Sequence, residues 1–189
     1  KNNYFFNINN LNNLNFVIYL SKILKLKLNK VFEVVEKFKG LDYRQQLIYK
    51  NKKYLIINDS KSTSFSSSIN LLKSYQNIYW IVGGQYKKGD RFILEKKFYN
   101  QIKGYIYGKN KNFFVKNFKN KIQIKNFNQI LDCLKQIQKD VKKDNNFPIT
   151  ILFSPSAASF DQFLNFEKRG IYFNQCIKKT NFISNINAR

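Results

Sequence analysis

Residues 54 to 84, YLIINDSKSTSFSSSINLLKSYQNIYWIVGG, read as an apolar run, a polar loop, a helix over about 65 to 75 and a second apolar run that stops at a glycine pair. The alternation continues with a helix around 92 to 100, then GYIYG at 104 to 108 with a weak helix after it. KIQI at 121 to 124 precedes a helix at about 127 to 141, and ITILF at 149 to 153 precedes a helix from Asp161 to about Lys179. Strands alternating with helices predict an α/β fold, a mainly parallel sheet with helices on both faces. The helix of 127 to 141 is the clearest, with Ile130, Leu131, Leu134, Ile137 and Val141 on one stripe.

Towards the N-terminus the text changes. Residues 11 to 28 carry Leu14, Val17, Ile18, Ile23 and Leu24 at helical spacing, and 30 to 38 suggest a second short helix that Gly40 closes. LIYK and YLIIN, separated by Asn51, Lys52 and Lys53, then read as a hairpin entering a new domain. The expected organisation is a helical segment over 1–39, an α/β domain over 40–183 and a frayed tail over 184–189.

Composition narrows the chemistry. The formal charge is +23, which ordinarily suggests nucleic acid or an anionic membrane. However, only four of the 34 basic residues are arginine (Arg44, Arg91, Arg169 and Arg189), and the lysines are scattered among Asn, Ile, Phe and Tyr, residues with AT-rich codons. Base composition explains that pattern better than a nucleic-acid surface, so neither a nucleic-acid nor a membrane partner is expected. His is absent and Cys133 and Cys176 are far apart, which excludes a Ser/His/Asp triad and predicts reduced, buried thiols with no metal site. No apolar run approaches membrane-spanning length and no cleavage site follows LNFVIYL at 14 to 20, so the expected address is cytoplasmic.

Three strands end in unusually polar or glycine-bearing loops: Asn58 to Thr63, Gly83 to Lys88, and Ser154 to Ser159. In a parallel sheet those ends share one edge, where ligands of open α/β sheets bind. Lys61 and Lys87 or Lys88 offer positive charge, Thr63 and Ser159 offer hydroxyls, and Gly83 and Gly84 would let backbone N–H groups approach an anion. Ser159 followed by Gln162 matches a capping box, which would turn the first amides of a helix starting at Asp161 towards the same edge. Asp161 itself reads as a first-turn carboxylate favoured by the helix dipole. No GxxxxGK(S/T) phosphate loop is present.

These loops carry a resemblance. GLDYRQQ (40 to 46), INDSKST (57 to 63), WIVGGQYKKGD (80 to 90) and SPSAASFDQFLNFEKRG (154 to 170) resemble, in order and spacing, the C-terminal domain of the D-glutamate-adding branch of the Mur ligase family. The last stretch is the most specific. The resemblance covers 40 to 180 and implies a Rossmann-like domain of an ATP-dependent amide ligase in peptidoglycan-precursor synthesis. In that family the substrate carboxylate of UDP-N-acetylmuramoyl-L-alanine becomes an acyl phosphate, which the amine of D-glutamate attacks.

By position, the resemblance implies that Asn12 and Arg44 touch the adenosine part of ATP and Asp59 its ribose. Lys61, Thr63, Lys87, Ser159, Phe160 and Phe166 would surround D-glutamate, the last two largely through backbone groups. Residues 1–39 would be the helical end of the central ATP-binding domain. The family's phosphate loop and Mg2+ ligands would precede residue 1, so the chain alone is expected to be inactive and to act with upstream domains of the same enzyme. Leu11, Tyr43, Ser64 and Gln85 depart from the family pattern. Two alternatives remain open: a basic, non-catalytic α/β module that binds RNA, or another Mur-type or folylpolyglutamate-type ligase.

Overall fold

The computed structural model describes residues 8 to 188; residues 1 to 7 of the expected leading segment and Arg189 of the expected tail lie outside the described residues. The chain divides at Leu41/Asp42 into two compact units. The first unit holds helices α1 (Ile8–Ile23) and α2 (Leu28–Lys37). Their apolar positions are largely uncovered: Phe16 and Tyr19 are each 65% exposed and Val34 is 68% exposed.

The second unit is a six-stranded sheet. Strands β1 (Gln46–Lys50), β2 (Tyr54–Asn58), β3 (Ile78–Gly83), β4 (Ile102–Tyr107), β5 (Gln123–Asn126) and β6 (Ile149–Phe153) lie in the order β1-β2-β6-β3-β4-β5. Only β1, the first arm of the hairpin, is antiparallel to its neighbour. The parallel α/β reading therefore holds. It is a consequence of continuous apolar strands, since every residue of β3 and β6 is buried.

Side-chain alternation divides the core. Tyr54, Ile56, Tyr79, Ile81, Ile151 and Phe153 meet α5 (Ile130–Val141), α6 (Phe166–Lys179) and α7 (Phe182–Asn187) on one face. Ile57, Ile78, Trp80, Val82 and Leu152 meet α3 (Phe65–Ser74) and α4 (Lys111–Phe118) on the other. Trp80 is fully buried between Phe92 and Phe118, and its indole N–H donates to the Ser154 carbonyl at 2.7 Å. Both cysteines are free and buried.

Three details differ from the sequence expectation. The helix read at 92 to 100 is a 3-10 turn at Lys96–Gln101. Residues 184 to 187, read as tail, belong to α7, where Phe182 and Ile186 are fully buried in the core shared with α5 and α6. Their apolar spacing outweighs the polar text around them.

The third difference is the start of α6, which begins at Phe166 and not at Asp161. Its cap is Asn165, whose side chain accepts from the Lys168 amide at 2.8 Å. The Ser159 carbonyl instead accepts from Gln162 and Phe163, closing an isolated turn. Asn165→Ala is therefore expected to cost about 1 kcal/mol, and Ser159→Ala to leave thermal stability nearly unchanged; equal melting shifts in the two variants would contradict this placement of the helix start.

Candidate functional site

β2, β6 and β3 are adjacent and parallel, so the loops that follow them leave from one edge of the sheet. Backbone bonds stitch these loops together. The Asp59 amide donates to the Phe153 carbonyl at 2.7 Å, and the Gly83 amide to the Pro155 carbonyl at 3.0 Å. Gln85 and Ala158 exchange both bonds at 2.9 Å. Two amides of the glycine turn are thus already spent on the neighbouring loop. The glycine pair serves close packing here: a Cβ on Gly83 would strike the Tyr107 carbonyl, and one on Gly84 the Ala158 carbonyl.

A buried hydroxyl network runs beneath. Ser154 donates to Asp59 Oδ2 at 2.8 Å, Ser68 lies 2.6 Å from both Ser154 and Ser156, and Ser62 lies 2.7 Å from Ser68. Asp59 Oδ1 accepts from the Gln45 amide at 3.1 Å. Asp59 is only 6% exposed, and burial pushes its carboxyl up to about 7 against the pull of those two bonds and of the Arg169 and Arg44 charges. Asp59 thus braces two loops, with one bond on each oxygen and a second acceptor site left on each.

Arg169 is fully buried on α6. Its Nε donates to Ser60 Oγ at 3.1 Å and one terminal nitrogen to the Ala157 carbonyl at 2.9 Å. The other terminal nitrogen donates to the carbonyls of Ser60 at 2.6 Å and Ser62 at 3.4 Å. Next to it, Gly170 leaves room for the Tyr43 ring, and its carbonyl accepts from Asn58 at 3.0 Å. Asp161 is outside any helix; its carboxylate lies where Gly108 has no side chain, and burial raises it. Asp90 accepts from the Phe65 amide at 2.8 Å and so closes the start of α3.

The expected ligand residues are distributed as follows. Lys61 lies with its ammonium 4.1 Å from the centre of the Phe166 ring, so these two are brought together. Ser159 is buried in its turn, Phe160 is 70% exposed, and Thr63, Lys87 and Arg44 are exposed. Among the described residues the Lys61 and Lys87 ammonium groups and the Thr63 and Ser159 hydroxyls make no hydrogen bond. Asn12 is exposed on α1, in the other unit. No group of three or more His, Cys, Asp or Glu among the described residues could hold a metal ion. No helix among them is long and apolar enough to cross a membrane.

Sequence reasoning missed Arg169, Asn165 and the Ser62–Ser68–Ser154–Ser156 network. Only Arg169 had a visible signal, as the Arg of an FxxRG spacing that puts it one helical turn from Phe166.

No protein-family model matches the chain. Curated relatives do. The UDP-N-acetylmuramoylalanine–D-glutamate ligase of Wolbachia sp. subsp. Brugia malayi (strain TRS) is 35% identical over 160 residues, which is 85% of this chain and 32% of the relative. Its counterpart in Rickettsia felis is 33% identical over 160 residues, 85% of this chain and 36% of the relative. This chain thus spans about a third of the length of the curated relatives it matches. Among solved structures, the crystal structure of UDP-N-acetylmuramate–alanine ligase from Thermotoga maritima superposes with a TM-score of 0.59 at 17% identity, covering 92% of this chain and 39% of that one. At that identity the likeness speaks for the fold alone.

Proposed function

We propose that the chain is a C-terminal portion of a UDP-N-acetylmuramoylalanine–D-glutamate ligase, the enzymes it is similar to, and that it supplies the D-glutamate subsite of such an ATP-dependent enzyme. The observation that supports this reading is a set of four side-chain groups without a hydrogen bond among the described residues, on Lys61, Thr63, Lys87 and Ser159, on loops whose backbones are otherwise tied together. An amino acid with two carboxylates calls for two cations and several donors, and charge-assisted bonds are the strong ones. Phe166 backs Lys61, and Phe160 forms the exposed rim.

ATP would be met by Arg44 of the α/β unit. Asp59 would act one step back, orienting Arg44 through its bond to the Gln45 amide. ATP supplies the phosphoryl group that activates the acceptor carboxylate; the residues of this chain bind and orient the incoming amine donor. Mg2+ would be held by the rest of the enzyme, as the resemblance to the family implies. The exposed apolar side chains of α1 and α2, Phe16, Tyr19 and Val34 among them, would be covered by the preceding domains of the same enzyme. On this reading the chain by itself turns over no substrate, and its setting is the cytoplasm, where the nucleotide-linked precursor is made.

Steady-state kinetics on the full-length ligase test the subsite. Lys61→Ala and Lys87→Ala should each lower kcat/KM for D-glutamate about ten- to hundredfold, the worth of a charge-assisted bond at roughly 1.5 to 3 kcal/mol. Lys88→Ala should do much less. Ser159→Ala should weaken D-glutamate use without a matching loss of thermal stability. If neither lysine variant changes D-glutamate use, the subsite lies elsewhere.

A further inference from the structure

We infer that Arg169 is the positioning residue of the anion subsite: its buried guanidinium fixes the loop carrying Lys61 and Thr63 against the loop carrying Ser159, and so sets the affinity for the amino-acid substrate. The inference rests on the D-glutamate reading above and extends it to a residue that touches no ligand.

The bonding pattern is unusual for a buried arginine. Among the described residues no carboxylate lies within ion-pair distance of it; its partners are three carbonyls and one hydroxyl. The carboxyl groups of Asp59 and Asp161 act on it only through space; burying a guanidinium without a directly paired carboxylate is costly, and an apolar side chain of similar volume would fill the space at lower cost. What an apolar side chain lacks is the planar fork, which can hold several acceptors at fixed angles.

The acceptors belong to the candidate site. One terminal nitrogen holds the carbonyls of Ser60 and Ser62, the residues on either side of Lys61, so the direction in which Lys61 leaves the backbone is set by this contact. The other terminal nitrogen holds Ala157, two residues before Ser159. Nε holds Ser60 Oγ, which in turn donates to the Phe166 carbonyl at 2.8 Å, and Phe166 carries the ring beneath Lys61. One side chain therefore couples Lys61, Phe166 and the Ser159 turn. Misplacing donors by about an ångström is enough to cost two orders of magnitude in a positioned reaction.

The test uses the full-length ligase with Arg169→Lys, which keeps the charge and loses the fork, and Ser60→Ala, which removes the Nε acceptor together with its bond to the Phe166 carbonyl and leaves the guanidinium in place. KM is measured for D-glutamate and for UDP-N-acetylmuramoyl-L-alanine, alongside hydrogen exchange of the amides. Arg169→Lys is expected to raise KM for D-glutamate at least tenfold while KM for the nucleotide-linked substrate stays within about twofold, and amides in 60–63 and 157–160 are expected to exchange faster. Ser60→Ala should give a smaller change of the same kind, and it carries the test if Arg169→Lys does not fold. A generally structural residue would instead move both KM values and global exchange together, and that result, or an unchanged D-glutamate KM, overturns the proposal. Should the wild-type enzyme prefer another amino acid, the substrate reading falls, and the same KM split measured with that amino acid decides on Arg169.

Discussion

Gly84→Ala is expected to destabilise the domain by about 3 kcal/mol or more, combining a backbone that L side chains rarely adopt with a steric conflict that has no easy relief. Gly84 has φ +127°, and an added Cβ would sit 2.5 Å from the Ala158 carbonyl oxygen, 3.2 Å from a terminal nitrogen of Arg169 and 3.3 Å from Ala157 Cβ. The Ala158 carbonyl cannot retreat without breaking its bond from the Gln85 amide, and the arginine cannot move without releasing Ala157. Gly89 is the control. It also has a positive φ, +82°, but nothing lies within 4 Å of its added Cβ, so alanine there should cost only about 1 kcal/mol. Thermal or urea unfolding of both variants gives the comparison. Equal losses at the two positions would mean that the glycine pair is conformational only and that the loops do not meet as closely as the structure shows.

Asp59→Asn is expected to change stability in opposite senses at the two ends of the pH scale. The folded carboxyl sits at about 7 against an ordinary value of 3.8, burial being the main cause. A raised acid takes up a proton on folding, so its favourable contribution is complete below pH 3.8 and is lost as pH rises towards 7. At about 1.4 kcal/mol per unit, the ionised carboxylate costs up to roughly 4 kcal/mol at neutral pH and above. The neutral amide does not titrate, and it can accept from Gln45 while donating to Ser154, which keeps its own bond to Ser68. The variant should therefore gain on the wild type steadily from pH 4 to pH 8 and be the more stable of the two at pH 8. Parallel pH–stability curves would show that Asp59 is ionised in the folded protein without cost.

The sequence by itself determined the class of the fold and the convergence of three polar loops on one edge of the sheet. Runs such as ITILF and IYWIV are apolar on both faces, which only a covered parallel strand requires, and parallel strands send their following loops to one side. It also determined which residues could serve an anion, because Lys61, Thr63, Lys87 and Ser159 follow those strands directly. Four matters were decided only in three dimensions. The insertion of β6 between β2 and β3 depends on packing among distant segments, and it makes three separate loops into one cluster. The start of α6 was another: Ser159 with Gln162 reads as a capping box, but the chain uses the Ser159 carbonyl to close a turn and caps the helix with Asn165. Gly83 and Gly84 looked free to present amides to a ligand, yet the neighbouring loop takes the amides of Gly83 and Gln85. Arg169 was one basic residue among many in the sequence; only burial, which removes water as its partner, forces its donors onto the carbonyls of Ser60, Ser62 and Ala157 and makes it the tie between the loops.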